Sequence, residues 1–440
     1  MYTNRDILRV AYPIFLSFLA QNVVNVTDTA FLGRVGEVEL GASALGGVFY
    51  MMLFMIGLGF SVGSQILIAR RNGEQNYNKI GEIFHHGVVF LLLLAVVTIV
   101  FTQFFAGAFL KQMLSSESVY EAAIKFLDIR IFGLLFIFPN SLFRAFYIGI
   151  TRTKILIWNA VIMATVNVIL DYGLIFGHWG LPRMGISGAA LASVIAEGVA
   201  LLFMSIYTIM TVDVERFQMK FSIHLRINVI RHILSVSIYT MIQSFLSIAT
   251  WFIFFMGIEH LGERSLAVSN VVRSLYMLML LPILSLSITS NTLVSNLIGK
   301  GETEKVMKLI WKIIRLAFVI LSPLVFAIAI FPQFFIRIYT DELSLVSDTV
   351  MPLLVLASSL YIAAAGSILF NSLSGTGSTR ISLWVELASI TLYIGYMWWL
   401  IFVHKASVAL CWTTEHLYWV TLIIFCFWYL KKGKWRERKI

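Results

Sequence analysis

Apolar runs of about 20 residues recur from one end of this chain to the other. As a helix, each is long enough to cross a hydrocarbon layer of about 30 Å. Twelve such spans fit, near 10–32, 42–68, 84–107, 124–147, 157–177, 188–211, 232–256, 266–297, 311–333, 351–371, 382–402 and 407–430. The runs are continuous rather than short and alternating, so helices are expected and a barrel is not. Composition agrees: the 440 residues are 59% hydrophobic and only 13% charged, against about 25% charged in a soluble domain. The first run follows MYTNRDILRVAYP without a small-residue cleavage site, and it reads as a retained span. The fold class expected is an all-α polytopic membrane protein with twelve transmembrane helices.

Basic residues alternate between the two sides of these spans. Arg5, Arg9, Arg70, Arg71, Lys79 and later residues up to Arg380 fall on one side, together with the tail LKKGKWRERKI. Arg34, Lys111, Arg183, Arg264, Arg337 and Lys405 fall on the other. This asymmetry puts both termini in the cytoplasm of a cell whose inner membrane holds the protein. It also accounts for the net charge of +10 without nucleic acid, and the basic tail suits anionic lipid.

The sequence also repeats. Laid on itself in one constant register, it matches Gly36, Glu37 and Leu40 with Gly262, Glu263 and Leu266, and Tyr50-Met51 with Tyr276-Met277. In that register Ser64-Gln65 meets Ser290-Asn291, Gly73 meets Gly299, Gly149 meets Gly375 and Thr153 meets Thr379. Spans 1 and 7 both begin in the cytoplasm, so the repeat is parallel. Two six-helix bundles related by a pseudo-twofold axis along the membrane normal are expected. We divide the chain into an N-terminal lobe, 1–215, a cytoplasmic linker, 216–231, and a C-terminal lobe with the basic tail, 232–440. Phe217, Phe221, Ile223 and Ile227 in the linker suit a short amphipathic helix or a plain connector.

Polar side chains inside the spans carry the chemistry, because lipid cannot satisfy them. Asp28 lies in span 1 with Asn25 and Gln21 on the same face, and in span 5 Asn167 and Asp171 are four apart and share a face. Two carboxylates and an amide offer hard oxygen ligands to a small cation or hold a proton between them. The alternative role for Asp28 is an interhelical hydrogen bond that only holds the bundle. Ser193 and Glu197 in span 6 and Asn140 in span 4 are candidates for the same network, with Arg144 a possible partner of Glu197. The C-terminal half offers Asn270 and Arg273 in span 8 and Glu386 in span 11, and a buried Arg and Glu often pair. Trp412 and Trp419 suit interface anchoring or packing.

Taken together, Pro13, the string Asp28-Thr29-Ala30-Phe31-Leu32-Gly33, Gly73, Asn167-Val168-Ile169-Leu170-Asp171 and Gly180-Leu181-Pro182-Arg183-Met184-Gly185 resemble the multidrug and toxic compound extrusion family along the whole chain. The resemblance implies a secondary active antiporter that exports amphipathic, cationic organic compounds in exchange for protons or sodium ions. It places the coupling site at Asp28, Asn167 and Asp171, as in the branch whose site lies in the N-terminal half. Another branch carries acids in spans 7 and 10; here span 10 has none and span 7 has only Glu259, near its end. Coupling through the C-terminal half is therefore not expected. The alternative function is a flippase for a lipid-linked or amphipathic precursor.

The sequence carries no Walker glycine-rich loop and no H-E-x-x-H string, so neither hydrolysis nor a cofactor is expected. The partners expected are an organic small-molecule substrate and membrane lipid, with no nucleic acid, and the chain is expected to be a monomer. The same three residues would be the metal ligands if sodium couples. We favour protons, which need no complete coordination shell.

Overall fold

Hydropathy and proline placement account for most of the helices in a computed structural model, which describes residues 2–113, 116–213, 215–218 and 226–437. In chain order the first seven are α1 (Asn4–Val35), α2 (Glu37–Gly73), α3 (Tyr77–Met113), α4 (Glu117–Arg130), α5 (Leu134–Gly149), α6 (Ile155–Phe176) and α7 (Ile186–Thr211). Then follow α8 (Ile227–Glu259), α9 (Glu263–Gly299), α10 (Val306–Ile330), α11 (Pro332–Ile336), α12 (Leu343–Gly375), α13 (Thr379–Trp398), α14 (Val408–Cys411) and α15 (Thr414–Lys432). Pro13, Pro139, Pro282, Pro323 and Pro352 all lie inside helices. Eleven helical segments among the described residues are long and apolar enough to cross a membrane. The span expected at 124–147 is instead divided into α4, a tight turn at Ile131–Gly133, and α5. Phe221 and Ile223, part of the amphipathic helix suggested for the linker, lie outside the described residues.

The chain forms two units, Leu16–Met241 and Met1–Phe15 with Ile242–Ile440. We call them the N-terminal and C-terminal units. Their boundaries fall inside α1 and α8, whereas the sequence reading set the division at 216–231. Packing explains the difference. Ile7 and Ala11 of α1 are buried in the same core as α9, α10 and α12, and Lys312 donates to the Tyr2 carbonyl at 2.8 Å. At the start of α8, Thr240 and Ser237 donate to the carbonyls of Gly59 and Phe60 on α2 at 2.7 and 3.2 Å. Gly59 and Gly63 permit that approach, since a Cβ on either would fall on the α8 backbone.

Within each unit small residues bring two helices together, as expected where apolar lipid gives helices no hydrophobic reason to associate. In the N-terminal unit Ser61 on α2 and Ser141 on α5 are hydrogen-bonded at 2.6 Å. In the C-terminal unit Ser287 on α9 donates to Ser367 on α12 at 2.8 Å. In the register of the repeat, Ser61 falls on Ser287 and Ser141 on Ser367. Gly149 abuts Ile68 and Ala69 of α2, and its mate Gly375 abuts the backbone of Asn291 on α9. The displacement found in the sequence is thus also a displacement of packing contacts. Away from them α3 presents Val97, Phe101, Phe104 and Phe105 outward, at 51 to 77% exposure, as a lipid-facing surface would.

A side chain at Gly375 has no room, because the atom it meets is backbone. Gly375→Val is expected to cost about 1–3 kcal/mol by overpacking and to lower the thermal midpoint of the detergent-solubilised protein. Gly41, with nothing near its missing Cβ, is the control: Gly41→Ala is expected to leave the midpoint unchanged or raise it.

Candidate cation site

Asp28 on α1 and Asp171 on α6 meet in the N-terminal unit, with Asn167 one turn before Asp171. Asp171 and Asn167 are fully buried and Asp28 is half-buried. α6 stops soon after the site because Gly177 adopts φ 79°, a left-handed turn that glycine takes without strain. Beyond the acids, Phe31 packs on Tyr172 and Phe176 at 6.3 and 5.7 Å between ring centroids, and Tyr172 stacks on His178 at 4.3 Å. These rings pack the C-terminal ends of α1 and α6 against each other.

The Asn167 amide donates through Nδ2 to Asp28 Oδ1 at 3.0 Å and to Asp171 Oδ2 at 3.2 Å. The other end of the amide lies 3.3 Å from Ser193 Oγ on α7. One amide thus bridges both carboxyl groups. Asp171 Oδ1 is buried without a donor. Two acids, an amide and a hydroxyl thus converge on one small volume. Among the described residues no three His, Cys, Asp or Glu side chains converge in the way of a metal centre, so a sodium ion here would rely on the amide and hydroxyl oxygens.

Glu197 does not join the acids as an open carboxylate, and its partner is not Arg144. Arg130, at the end of α4, grips both of its oxygens at 2.6 and 2.9 Å. The Tyr50 hydroxyl lies 3.3 Å from each oxygen, and the Arg130 guanidinium stacks 3.8 Å over the Tyr50 ring. The break between α4 and α5 makes room for this pair: a Cβ on Gly133 would fall on both Arg130 and Glu197. Arg144 instead lies 5.7 Å over Phe18. Asn140 accepts from Asn159 at 3.2 Å rather than from the acids. Gln21 is half-buried and Asn25 exposed, and neither is brought onto the carboxylates.

Sequence reasoning missed Arg130 and Tyr50. The signals were present: an arginine inside span 4, and a tyrosine at a repeated position. In the C-terminal unit the suggested Arg273–Glu386 pair does not form. Arg273 lies over the Phe255 ring at 4.9 Å, while Glu386 accepts from Tyr418 at 2.9 Å. The Asn270 carbonyl accepts from Ser274 at 2.9 Å. Trp412 is buried and Trp419 half-buried, each packed in the core of that unit.

The repeat also shows what the cation site lacks in the other unit. The repeat mates of Asp28, Asn167 and Asp171 are Phe254, Tyr393 and Met397. All three are buried in one apolar core, with the Phe254 and Tyr393 rings 6.2 Å apart. The position is kept as packing.

Breaking the Arg130–Glu197 pair strands a buried charge, so Arg130→Met is expected to destabilise the protein by about 3–5 kcal/mol. Adding Glu197→Met should recover most of that loss, because an apolar pair of similar volume replaces an ion pair at little cost. Thermal unfolding of the two variants measures both effects.

The sequence profile of the MatE family matches residues 13–173 and again 239–399. The second match begins and ends where the register of the repeat places the ends of the first. A probable multidrug resistance protein NorM from Thermotoga maritima is 24% identical over 384 residues, covering 86% of this chain and 81% of that protein. The corresponding protein from Synechocystis sp. is 24% identical over 340 residues, covering 77% of this chain and 73% of its own. A solved structure described as the outward-facing conformation of a multidrug resistance MATE family transporter superposes with a TM-score of 0.89 at 20% identity. It covers 99% of this chain and 96% of that one. A MOP superfamily transporter from Pyrococcus furiosus Vc1 also gives 0.89, at 19% identity and the same coverage. These likenesses establish an all-α polytopic membrane fold.

Proposed function

This chain belongs to the MatE family of secondary active efflux transporters, and we propose that it is an antiporter that exports amphipathic organic cations in exchange for protons bound at Asp28, Asn167 and Asp171. The observation that carries this reading is the Asn167 amide reaching both carboxylates at 3.0 and 3.2 Å. Two acids this close, one of them fully buried, cannot both ionise cheaply. The site therefore takes up and releases a cation as its access to water changes. The family and the buried site make it a transporter rather than an enzyme.

The Asn167 amide ties the proton to the packing of α1 on α6. When the acids are ionised, Nδ2 faces them and satisfies both. A proton on either carboxylate weakens that bridge between the two helices. If that change lowers substrate affinity, substrate in turn lowers proton affinity by the same factor, which is the reciprocity antiport needs. Each unit of pH gradient supplies about 1.4 kcal/mol per proton, enough for a tenfold substrate gradient.

The wider arrangement we propose is two six-helix lobes related by a pseudo-twofold axis along the membrane normal, in the cytoplasmic membrane, with both termini inside. Support comes from the double family match, the repeated serine pairs and glycine approaches, and the placement of basic residues.

Asp28→Asn keeps the shape and removes the titrating group. The variant is expected to fold and insert, with gradient-driven efflux from proteoliposomes reduced to the uncoupled leak. Wild-type efflux at matched protein levels would exclude Asp28 from coupling. The ion is decided by imposing one gradient at a time. We expect efflux with a pH gradient at equal sodium and none with a sodium gradient at equal pH; the reverse result would make sodium the coupling ion at the same residues.

A further inference from the structure

The repeat places a tyrosine at the same position in each unit, and the carboxylates that these tyrosines hold have opposite charge balance. Tyr50 lies against Glu197, and Arg130 neutralises it. Tyr276, the repeat mate of Tyr50, donates to Oε2 of Glu415 on α15 at 2.8 Å. Trp419 Nε1 donates to the same oxygen at 3.1 Å and to the Tyr276 hydroxyl at 3.1 Å. The repeat mate of Arg130 is Leu356, fully buried on α12. The repeat mate of Glu197 is Ile423, so the C-terminal unit has replaced both members of the ion pair, and Glu415 reaches the retained tyrosine from a different position, with no cation beside it among the described residues. Glu415 is 5% exposed, and no ion pair to it is formed among the described residues.

A second carboxylate lies in the same unit. Glu386 on α13 is 2% exposed. Its Oε1 accepts from Tyr418 on α15 at 2.9 Å, while Oε2 has no partner. Ser247 on α8 is near enough to interact, yet not in hydrogen-bond geometry with that oxygen. Trp412 Nε1, in the aromatic cluster around Tyr276, is likewise buried without an acceptor. The remaining titratable groups facing the two acids are Tyr393 from α13, Cys426 from α15 and, beside Tyr393, Cys411 from α14. α12 packs Gly366 under Trp419 and engages His416 through Ser358. α9 adds Arg273, whose guanidinium is on Phe255 instead of either carboxylate.

Two buried carboxylates without a cation need neutralisation. A metal ion would need several oxygens converging on it. Glu415 Oε2 instead receives an N–H and an O–H, both aimed hydrogen-first, which repel a metal ion. A proton needs one oxygen, and Glu386 Oε2 supplies one. Glu415 is also in the first turn of α15.

We propose that Glu386 and Glu415 form a second proton-carrying site, in the C-terminal unit, which exchanges one proton per transport cycle beside the one held by Asp28 and Asp171. Its use in the cycle rests on the antiport reading above; the binding of the proton does not. The position equivalent to the N-terminal site is closed by Phe254, Tyr393 and Met397, so the C-terminal unit carries its proton elsewhere, between α13 and α15.

Infrared spectroscopy of the purified protein tests proton binding without transport. In Asp28→Asn with Asp171→Asn, a carboxyl C=O band is expected at pH 7 that disappears as pH rises, and E386Q with E415Q should remove it. Tyr276→Phe, which leaves both acids in place, should move the pH at which the band is lost. A band that ignores pH, or that survives both glutamate substitutions, overturns the proposal. The second measurement is the substrate gradient that one unit of pH sustains in proteoliposomes with the membrane potential clamped at zero. Wild type should hold about a hundredfold gradient and E415Q about tenfold. A wild-type value near tenfold, or no change in E415Q, overturns the exchange of a second proton. If Asp28→Asn leaves efflux intact, the antiport reading at Asp28 fails, while the infrared result still decides whether Glu386 and Glu415 bind a proton.

Discussion

Glu197 lies 5% exposed in a helix bundle, and the Arg130 guanidinium that grips both of its oxygens cancels its charge where water cannot. An isolated carboxylate at that depth would cost several kcal/mol, and the protein meets that cost with a bidentate partner rather than a proton. The consequence reaches beyond Glu197. Three acids stand within the N-terminal unit's polar interior, and one of them is permanently silenced. What is left to respond to its surroundings is the Asp28–Asp171 pair, with Asn167 between the carboxylates. Arg130 is also near enough for its charge to act on Asp28, so the guanidinium that holds Glu197 is felt at the acid pair as well. Gly133 underlies all of this, because the ion pair occupies the space where its side chain would be.

The parts of this arrangement that were legible in the sequence are those fixed by period and by expense. Apolar runs of sufficient length give helices. A carboxylate inside such a run demands a partner, so Asp28 drew notice alone. Asn167 and Asp171 share a face because four residues return a helix nearly to the same side. What stayed hidden depends on rotation between helices. Each residue turns a helix by about 100°, so spacing cannot decide whether Glu197 meets Arg144 or Arg130. The same ambiguity let Arg273 and Glu386 look like partners, although their side chains go to Phe255 and to Tyr418. Glu415 escaped notice although it lies inside the last span, 407–430, because spacing alone gave it no partner; only the fold shows it turned onto Tyr276 and Trp419. The division into units was hidden too, since α1 and α8 are unbroken in sequence and only packing assigns their halves.

A repeated scaffold need not repeat its chemistry, and here the separation can be read pair by pair. Where two helices approach through small residues the two halves agree: Ser61 with Ser141 and Ser287 with Ser367, Gly149 and Gly375. Those positions set the distance between helices, and larger side chains would push them apart. Where a polar group has no such duty the halves differ. Asp28, Asn167 and Asp171 become Phe254, Tyr393 and Met397, and Arg130 becomes Leu356. Arg130 and Glu197 are replaced together, by Leu356 and Ile423, so the ion pair is lost as a pair and leaves no stranded charge behind. Glu415 comes to Tyr276 from a position that is Ala189 in the other half, with two hydrogen-bond donors on one oxygen and no fixed counter-charge. The two units thus answer one electrostatic constraint differently: the first with an arginine fixed beside one acid and an amide between two others, the second with aromatic donors around acids that have no ion-pair partner among the described residues.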